Sequence, residues 1–222
     1  MPPRRLPDGA EGRAEAARTL EAGGIVAFPT DTVYGIAVAL GTPGGIERLF
    51  AAKRRAPDRA IALLVADADQ AKDVGELNAP AAALAARFWP GGLTLVVPRR
   101  RDRTLPGALT GEGALATVGL RVPDHDAPRA LARAVGPLPT TSANRSGEPE
   151  ARDADELQVQ LGDALDLILD GGPAGGRLAS TLVDTTTDPV RILREGATST
   201  EAIDRCLVAA GLPGVGRYGP RT

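Results

Sequence analysis

A chain of 222 residues with 26 lysines and arginines against 28 aspartates and glutamates carries a formal net charge of −2, which excludes the strongly basic balance of a dedicated nucleic-acid binder. The single cysteine, Cys206, excludes an internal disulfide and a cysteine-based zinc cluster, and the single histidine, His125, excludes a metal site built from several imidazoles. The length fits one domain able to bury an ordinary core; no run is long and apolar enough to span a bilayer, and the N-terminus lacks the apolar centre of a signal peptide, so the cytoplasm is the expected compartment.

Ala10–Ala22 has helix-forming composition and stops at Gly23-Gly24. Ile25–Phe28 reads as a short buried strand closed by Pro29, and beyond it stands the polar run Thr30-Asp31-Thr32-Val33-Tyr34-Gly35. Gly44–Ala52 reads as a helix that delivers Lys53-Arg54-Arg55, with Arg59 close behind, and Ala60–Val65 as a buried strand. Asn78–Phe88 is a helix with Asn78 near its cap and Pro80 in its first turn; Trp89-Pro90-Gly91-Gly92 breaks it, and Leu93–Val97 is a strand. Thr117–Val122 reads as a strand stopped by Pro123, and Ala127–Val135 as a helix stopped by Gly136-Pro137. The loop that follows carries Thr140-Thr141-Ser142-Ala143-Asn144. A short helix contains Leu157–Leu161; Leu165–Leu169, Ser180–Asp184 and Val190–Leu193 read as strands, and Thr200–Ala210 as the last helix. Strands alternating with helices argue for an α/β fold, and connections too short for a crossover helix argue for a mixed sheet. Residues 1–12 and 211–222 read as loose ends around one domain, 13–210.

Three polar clusters stand in otherwise apolar surroundings: Thr30 to Gly35, Lys53 to Arg55, and Thr140 to Asn144. They supply hydroxyls, guanidinium groups and an amide, which suit an anion and a small hydroxylated partner better than acid/base hydrolysis. Lys53, Arg54, Arg55 and Arg59 place four cations within seven residues. A bound phosphate would offset their repulsion, and so would solvation at a helix end favoured by the dipole. The cluster at 140–144 suits ribose or phosphate and equally a helix cap. Other features read as bland. The Gly214-Val215-Gly216-Arg217-Tyr218-Gly219 match has no preceding strand and no room for a following helix, both of which a dinucleotide fingerprint needs. Arg99-Arg100-Arg101-Asp102-Arg103 lacks interleaved aromatics and reads as a solvated loop. His125 reads as a surface turn residue and Cys206 as a small core residue.

The order and spacing of eight segments between Gly23 and Ala197 resemble the YrdC/TsaC family of threonylcarbamoyl-AMP synthases. They are GGIVAFPTDTVYG, KRR with Arg59, FWPGGLTLVV, VGLRVPDH, PTTSANRSG, ILDGG, STLVD and ILREGA. The Lys-x-Arg and Ser-x-Asn signatures of that family fall on Lys53/Arg55 and Ser142/Asn144. The resemblance implies a twisted mixed sheet with flanking helices around a basic concave cavity. It implies a reaction of L-threonine, bicarbonate and ATP, with Mg²⁺ carried by the nucleotide, giving threonylcarbamoyl-AMP and pyrophosphate. That product would feed the N6-threonylcarbamoyl modification of adenosine 37 in tRNA through a TsaD-type transfer complex, with direct tRNA contact a weaker expectation. Carried over by motif, Lys53 and Arg55 are the expected catalytic residues. Thr32, Arg121, Thr140 and Ser180 are expected at threonine, with Arg55, Arg59, Thr117, Ser142, Asn144, Glu150 and Arg194 at ATP. No protein-held metal is expected. The chain departs from the pattern at Ala56 and Ala60, where many members have proline, and at Leu64, where some have histidine. The competing readings are a nucleotide- or RNA-binding module without turnover and a carbamoyltransferase acting through carbamoyl-adenylate.

Overall fold

A computed structural model describes residues 2–54, 61–109, 117–176 and 178–216. Its elements follow in chain order as β1 (Arg4–Pro7), α1 (Ala10–Glu21), β2 (Val26–Phe28), β3 (Gly35–Ala37), α2 (Gly45–Ala52), β4 (Ala62–Leu64), α3 (Ala68–Lys72), α4 (Ala79–Phe88) and β5 (Leu93–Pro98). There follow β6 (Thr117–Arg121), α5 (Asp126–Val135), β7 (Leu138–Ser142), α6 (Ala154–Leu161), β8 (Leu167–Asp170), β9 (Thr181–Asp184), β10 (Arg191–Arg194) and α7 (Thr200–Ala209). Side-chain caps fix several helix starts. Asn78 Oδ1 accepts from the Ala81 amide at 3.0 Å, Asp153 Oδ1 from those of Asp155 and Glu156 at 3.0 and 2.9 Å, and Ser199 Oγ from that of Ala202 at 3.3 Å.

The described strands form one twisted mixed sheet in the order β1-β8-β2-β3-β7-β4-β6-β5-β9-β10. β1/β8, β8/β2, β4/β6 and β5/β9 run parallel, while β2/β3, β3/β7, β7/β4, β6/β5 and β9/β10 run antiparallel. Three strands depart from the sequence reading. Residues 1–12 are not wholly loose: Arg4–Pro7 pairs with β8 from Arg4 opposite Leu167 to Pro7 opposite Asp170. An edge strand with one apolar residue, Leu6, gives no alternation to read. β3 is only three residues long. β7 replaces the expected loop even though it contains Pro139, which lacks an amide donor and so argues against a strand from sequence.

The period of two along each strand divides the core. On one face, Val26, Phe28, Ala37, Leu64, Leu138, Leu167 and Leu169 meet Ala16 and Leu20 of α1 and Ala127, Leu131 and Ala132 of α5. On the other, Ala27, Ile36, Leu63, Leu95, Leu120 and Val183 meet residues of α2, α4, α6 and α7. Register continues the first face beyond those two helices. Leu64 stands opposite both Leu138 and Arg121, and Ala62 opposite Thr140. There the strands present Thr140, Ala62, Arg121, Gly119, Thr94 and Val96 to a cavity.

Candidate functional site

The cavity holds about 390 Å³, within the range of small-ligand sites. Its first wall is the turn after β2. Thr30 Oγ1 donates to the Val33 carbonyl at 2.6 Å and accepts from the Thr32 amide at 3.1 Å, which closes the turn locally. Gly176 packs over it: its amide donates to the Thr32 carbonyl at 3.0 Å, and a Cβ there would lie 2.8 Å from the Asp31 carbonyl oxygen. No other residue type fits that approach.

Arg121, at the end of β6, is 6% exposed and spans this turn. Its Nε donates to the Gly91 carbonyl at 2.9 Å, Nη1 to Thr32 Oγ1 at 2.9 Å and Nη2 to Asp31 Oδ1 at 2.6 Å. Burial pulls its pKa below the ordinary arginine value, against the raising effect of Asp31, but a guanidinium stays charged at neutral pH. Five N–H groups less three bonds leave two for a ligand. Thr32 Oγ1, accepting from Arg121, passes its own proton to Thr30 Oγ1 at 3.0 Å. One Thr32 lone pair therefore remains, and Thr32 meets a ligand as an acceptor.

The opposite wall comes from β5, β9 and β10. Thr94 Oγ1 and Ser180 Oγ share a hydrogen bond of 2.7 Å, and Arg194 Nη2 donates to the Ser180 carbonyl at 2.9 Å. A register shift between Ile192 and Arg194 pairs Arg194 with Leu182, and both Leu193 and Arg194 reach the cavity. The floor includes Thr140, whose hydroxyl donates to the Leu138 carbonyl at 2.9 Å, and Ser142 at the end of β7.

Ser142 is held from behind. Lys53, the cap residue of α2, is 3% exposed. Its ammonium donates to the Ser142 carbonyl, to Ser142 Oγ at 3.1 Å and to Asn144 Oδ1 at 2.7 Å. Asn144 Nδ2 donates to the carbonyls of Arg145 and Glu148 at 3.1 and 2.6 Å. Lys53, Ser142 and Asn144 are thus one hydrogen-bonded unit.

Of the sequence-predicted residues, Thr32, Thr117, Arg121, Thr140, Ser142, Ser180 and Arg194 all line this cavity. Lys53 and Asn144 do not; they lie buried behind Ser142. Glu150 is half-buried in the segment before α6, away from the lining. Arg55 and Arg59, with Ala56 and Ala60, fall outside the described residues. Sequence reasoning missed Asp31 and Thr94, both of which act on a predicted residue. A polar residue interrupting the apolar run Leu93-Thr94-Leu95 was the available signal for Thr94. Leu64 is 4% exposed, lines the cavity and also packs in the α1/α5 core.

His125, Cys206 and the arginine loop at 99–103 do not line the cavity, and the Gly214–Gly219 match runs outside the described residues after Gly216. His125 caps α5, its Nδ1 accepting from the Ala127 amide at 3.2 Å. Cys206 is half-buried on α7. Arg99 donates to the Arg100 carbonyl, Arg103 to the Asp73 carbonyl after α3, and Arg100 pairs with Asp102. Among the described residues, no group of three or more His, Cys, Asp or Glu could hold a metal ion, and no helix is long and apolar enough to cross a membrane.

The family model of Sua5/YciO/YrdC, described as "Telomere recombination", matches residues 18–196. The chain is 36% identical over 193 residues to the threonylcarbamoyl-AMP synthase of Bacillus subtilis, covering 86% of this chain and 55% of that protein. It is 37% identical over 174 residues to the threonylcarbamoyl-AMP synthase of Chromohalobacter salexigens, covering 77% and 91%. The crystal structure of Pyrococcus abyssi Sua5 complexed with L-threonine superposes with a TM-score of 0.84 at 32% identity, over 96% of this chain and 61% of that one. The chain therefore spans about half the length of the Bacillus relative and nearly all of the Chromohalobacter one. The chain belongs to the Sua5/YciO/YrdC family.

Proposed function

We propose that this protein is an L-threonylcarbamoyladenylate synthase, an adenylyltransferase that makes threonylcarbamoyl-AMP and pyrophosphate from L-threonine, bicarbonate and ATP. One observation carries the reading: a guanidinium already fixed by Asp31, Thr32 and Gly91 keeps two N–H groups beside hydroxyls on every wall of the same cavity. That arrangement suits an amino-acid carboxylate. Thr32, left with a lone pair, suits the donor groups of threonine, its hydroxyl or its ammonium.

The threonine amine and bicarbonate condense to a carbamate with loss of water. A carbamate oxygen then attacks the α-phosphorus of ATP, a new P–O bond forms, the bond to the bridging oxygen of the β-phosphate breaks, and pyrophosphate leaves. The nucleophile is already anionic, so the attacking step needs no strong base, in keeping with a site without histidine. The protein contributes position and charge. Arg121 and Thr32 orient threonine, Ser180 and Thr140 complete its pocket, and Arg194 brings a cation from β10. Arg55 and Arg59 belong to the same role by motif, and Thr117, Ser142 and Glu150 to the nucleotide. Mg²⁺ would be carried on the nucleotide phosphates, where it offsets the charge of the leaving pyrophosphate. A TsaD-type complex acting on adenosine 37 of tRNA, in the cytoplasm, is the corresponding acceptor system.

Incubation with ATP, bicarbonate and labelled threonine tests this. Threonylcarbamoyl-adenylate and pyrophosphate should form only when all three are present. Pyrophosphate release independent of threonine, or ATP binding without turnover, would overturn it.

A further inference from the structure

The hydrogen-bond directions around Ser142 are fixed by chemistry. Asn144 Nδ2 faces two carbonyls, those of Arg145 and Glu148, which can only accept. Its carboxamide orientation is therefore set, and Oδ1 faces Lys53 and Ser142. An amide oxygen cannot donate, so the 2.7 Å contact between Ser142 Oγ and Asn144 Oδ1 consumes the serine proton. An ammonium cannot accept, so the 3.1 Å contact from Lys53 Nζ consumes one serine lone pair. A hydroxyl has one donor and two lone pairs. One lone pair is left for the cavity, and no proton.

We infer that Ser142 meets the nucleotide as a hydrogen-bond acceptor, holding a sugar hydroxyl or the exocyclic amine of the nucleoside rather than a phosphate, and that Asn144 and Lys53 impose this polarity. The inference rests on the reading of the cavity as an ATP site and deepens it. Phosphate oxygens at neutral pH are acceptors, so a phosphate at Ser142 would leave two acceptors facing each other unless the bond to Asn144 broke. Lys53 is accordingly a positioning residue in this corner: its bonds to Ser142 Oγ and Asn144 Oδ1 set the polarity of Ser142. The buried contacts with Ser142 Oγ and Asn144 Oδ1 are what couple Lys53 to the Ser-x-Asn signature.

The test is calorimetric titration of the full chain and of Ser142→Ala with adenosine and with inorganic tripolyphosphate. Ser142→Ala leaves Lys53 its bonds to the residue-142 carbonyl and Asn144. Adenosine affinity should fall about tenfold, with tripolyphosphate affinity changed less than about twofold. Tripolyphosphate weakened with adenosine unchanged would overturn the assignment. The source of the donor is read from analogues. Whichever of 2′-deoxyadenosine, 3′-deoxyadenosine or the purine riboside lacking the amino group binds wild type weakly, yet Ser142→Ala as well as adenosine does, has lost the group that Ser142 accepts from. If all three analogues lose affinity equally in both proteins, Ser142 touches none of those groups and the inference fails. Asn144→Leu supplies an independent sign. It frees the serine proton, so tripolyphosphate should bind more tightly as adenosine binds more weakly; parallel loss of both would remove Asn144 from the assignment. Wild-type protein that binds adenosine and ATP but makes no threonylcarbamoyl-adenylate would sink the catalytic reading while leaving this one standing.

Discussion

Two corners of the cavity solve one problem with different cations. At the turn after β2, Arg121 bonds Thr32, which bonds Thr30; at the end of β7, Lys53 bonds Ser142, which bonds Asn144. In each, a cation under 7% exposed takes a lone pair of a hydroxyl whose proton goes inward, and the hydroxyl is left as an acceptor. The difference is that Arg121 lines the cavity and Lys53 does not. A planar fork with five donors can brace Asp31, Thr32 and Gly91 and still reach a ligand, whereas the Lys53 ammonium is a single nitrogen that bonds the Ser142 carbonyl, Ser142 Oγ and Asn144 from behind. Arginine here can be scaffold and ligand together, and these bonds of Lys53 brace the end of β7.

Removing each cation should separate these roles. Arg121→Ala deletes the scaffold and the expected carboxylate ligand at once. Two lost charge-assisted bonds at about 1.5–3 kcal/mol each predict a drop of hundreds-fold or more in kcat/KM for threonine. Asp31 also loses its ion pair, so thermal stability should fall. Steady-state kinetics with threonine varied at saturating ATP measures this, and a threonine KM near wild type would show that Arg121 is scaffold only, like Lys53. Lys53→Met should cost less and fall on the other substrate. It strips a charged donor from the Ser142 carbonyl, which keeps the Asn144 amide, and from Asn144 Oδ1, which keeps the Ser142 hydroxyl. Each lost charge-assisted bond is worth about 1.5–3 kcal/mol, so the melting temperature should drop and the ATP KM rise while the threonine KM holds. A rise in threonine KM alone would break the distinction between the corners.

Much of this architecture was legible in sequence. Ile25–Phe28, Leu93–Val97 and Thr117–Val122 gave strands because apolar runs met proline or glycine, and Asn78 gave a helix start because its side chain binds a first-turn amide. The motifs brought Thr32, Arg121, Thr140, Ser142, Ser180 and Arg194 together although the chain separates the first from the last by most of the domain. What failed had physical causes. β1 is an arginine-rich edge and β7 carries Pro139, so neither shows the alternation of a strand. Asp31 and Thr94 act through residues far along the chain, Arg121 and Ser180, which no local pattern reveals.

The threonine corner should also discriminate by the substrate methyl. Serine keeps the hydroxyl, the amine and the carboxylate, so the bonds to Arg121 and Thr32 survive. Losing one methyl from an apolar contact is worth about 1–3 kcal/mol, and kcat/KM should favour threonine by roughly ten- to two-hundredfold. Equal rates for the two would mean that no wall packs the methyl. Valine, which lacks the hydroxyl, should be rejected more strongly than serine, and a valine rate above the serine rate would contradict the hydroxyl contacts.

The smallest expected effect belongs to Leu64, which stands directly opposite Arg121 in β4 and serves the cavity and the α1/α5 core together. Leu64→His would put a second polar group on the cavity side of Arg121's neighbour while withdrawing apolar contact from Leu138 and α5. If the imidazole turns to the cavity, it supplies one more hydrogen bond to threonine, worth about 0.5–1.5 kcal/mol. Threonine affinity should then rise several-fold, with ATP affinity unchanged and a modest loss of melting temperature from the thinner core. If it turns to the core instead, an imidazole without a partner costs about 1–3 kcal/mol, and the melting temperature falls with no gain in threonine binding. A threonine titration and a thermal melt of the same variant therefore decide which of its two environments governs residue 64. The first outcome would extend the ligand-bearing character of Arg121 to its neighbour on β4. The second would leave Leu64 lining the cavity while its contribution is made to the α1/α5 core behind it.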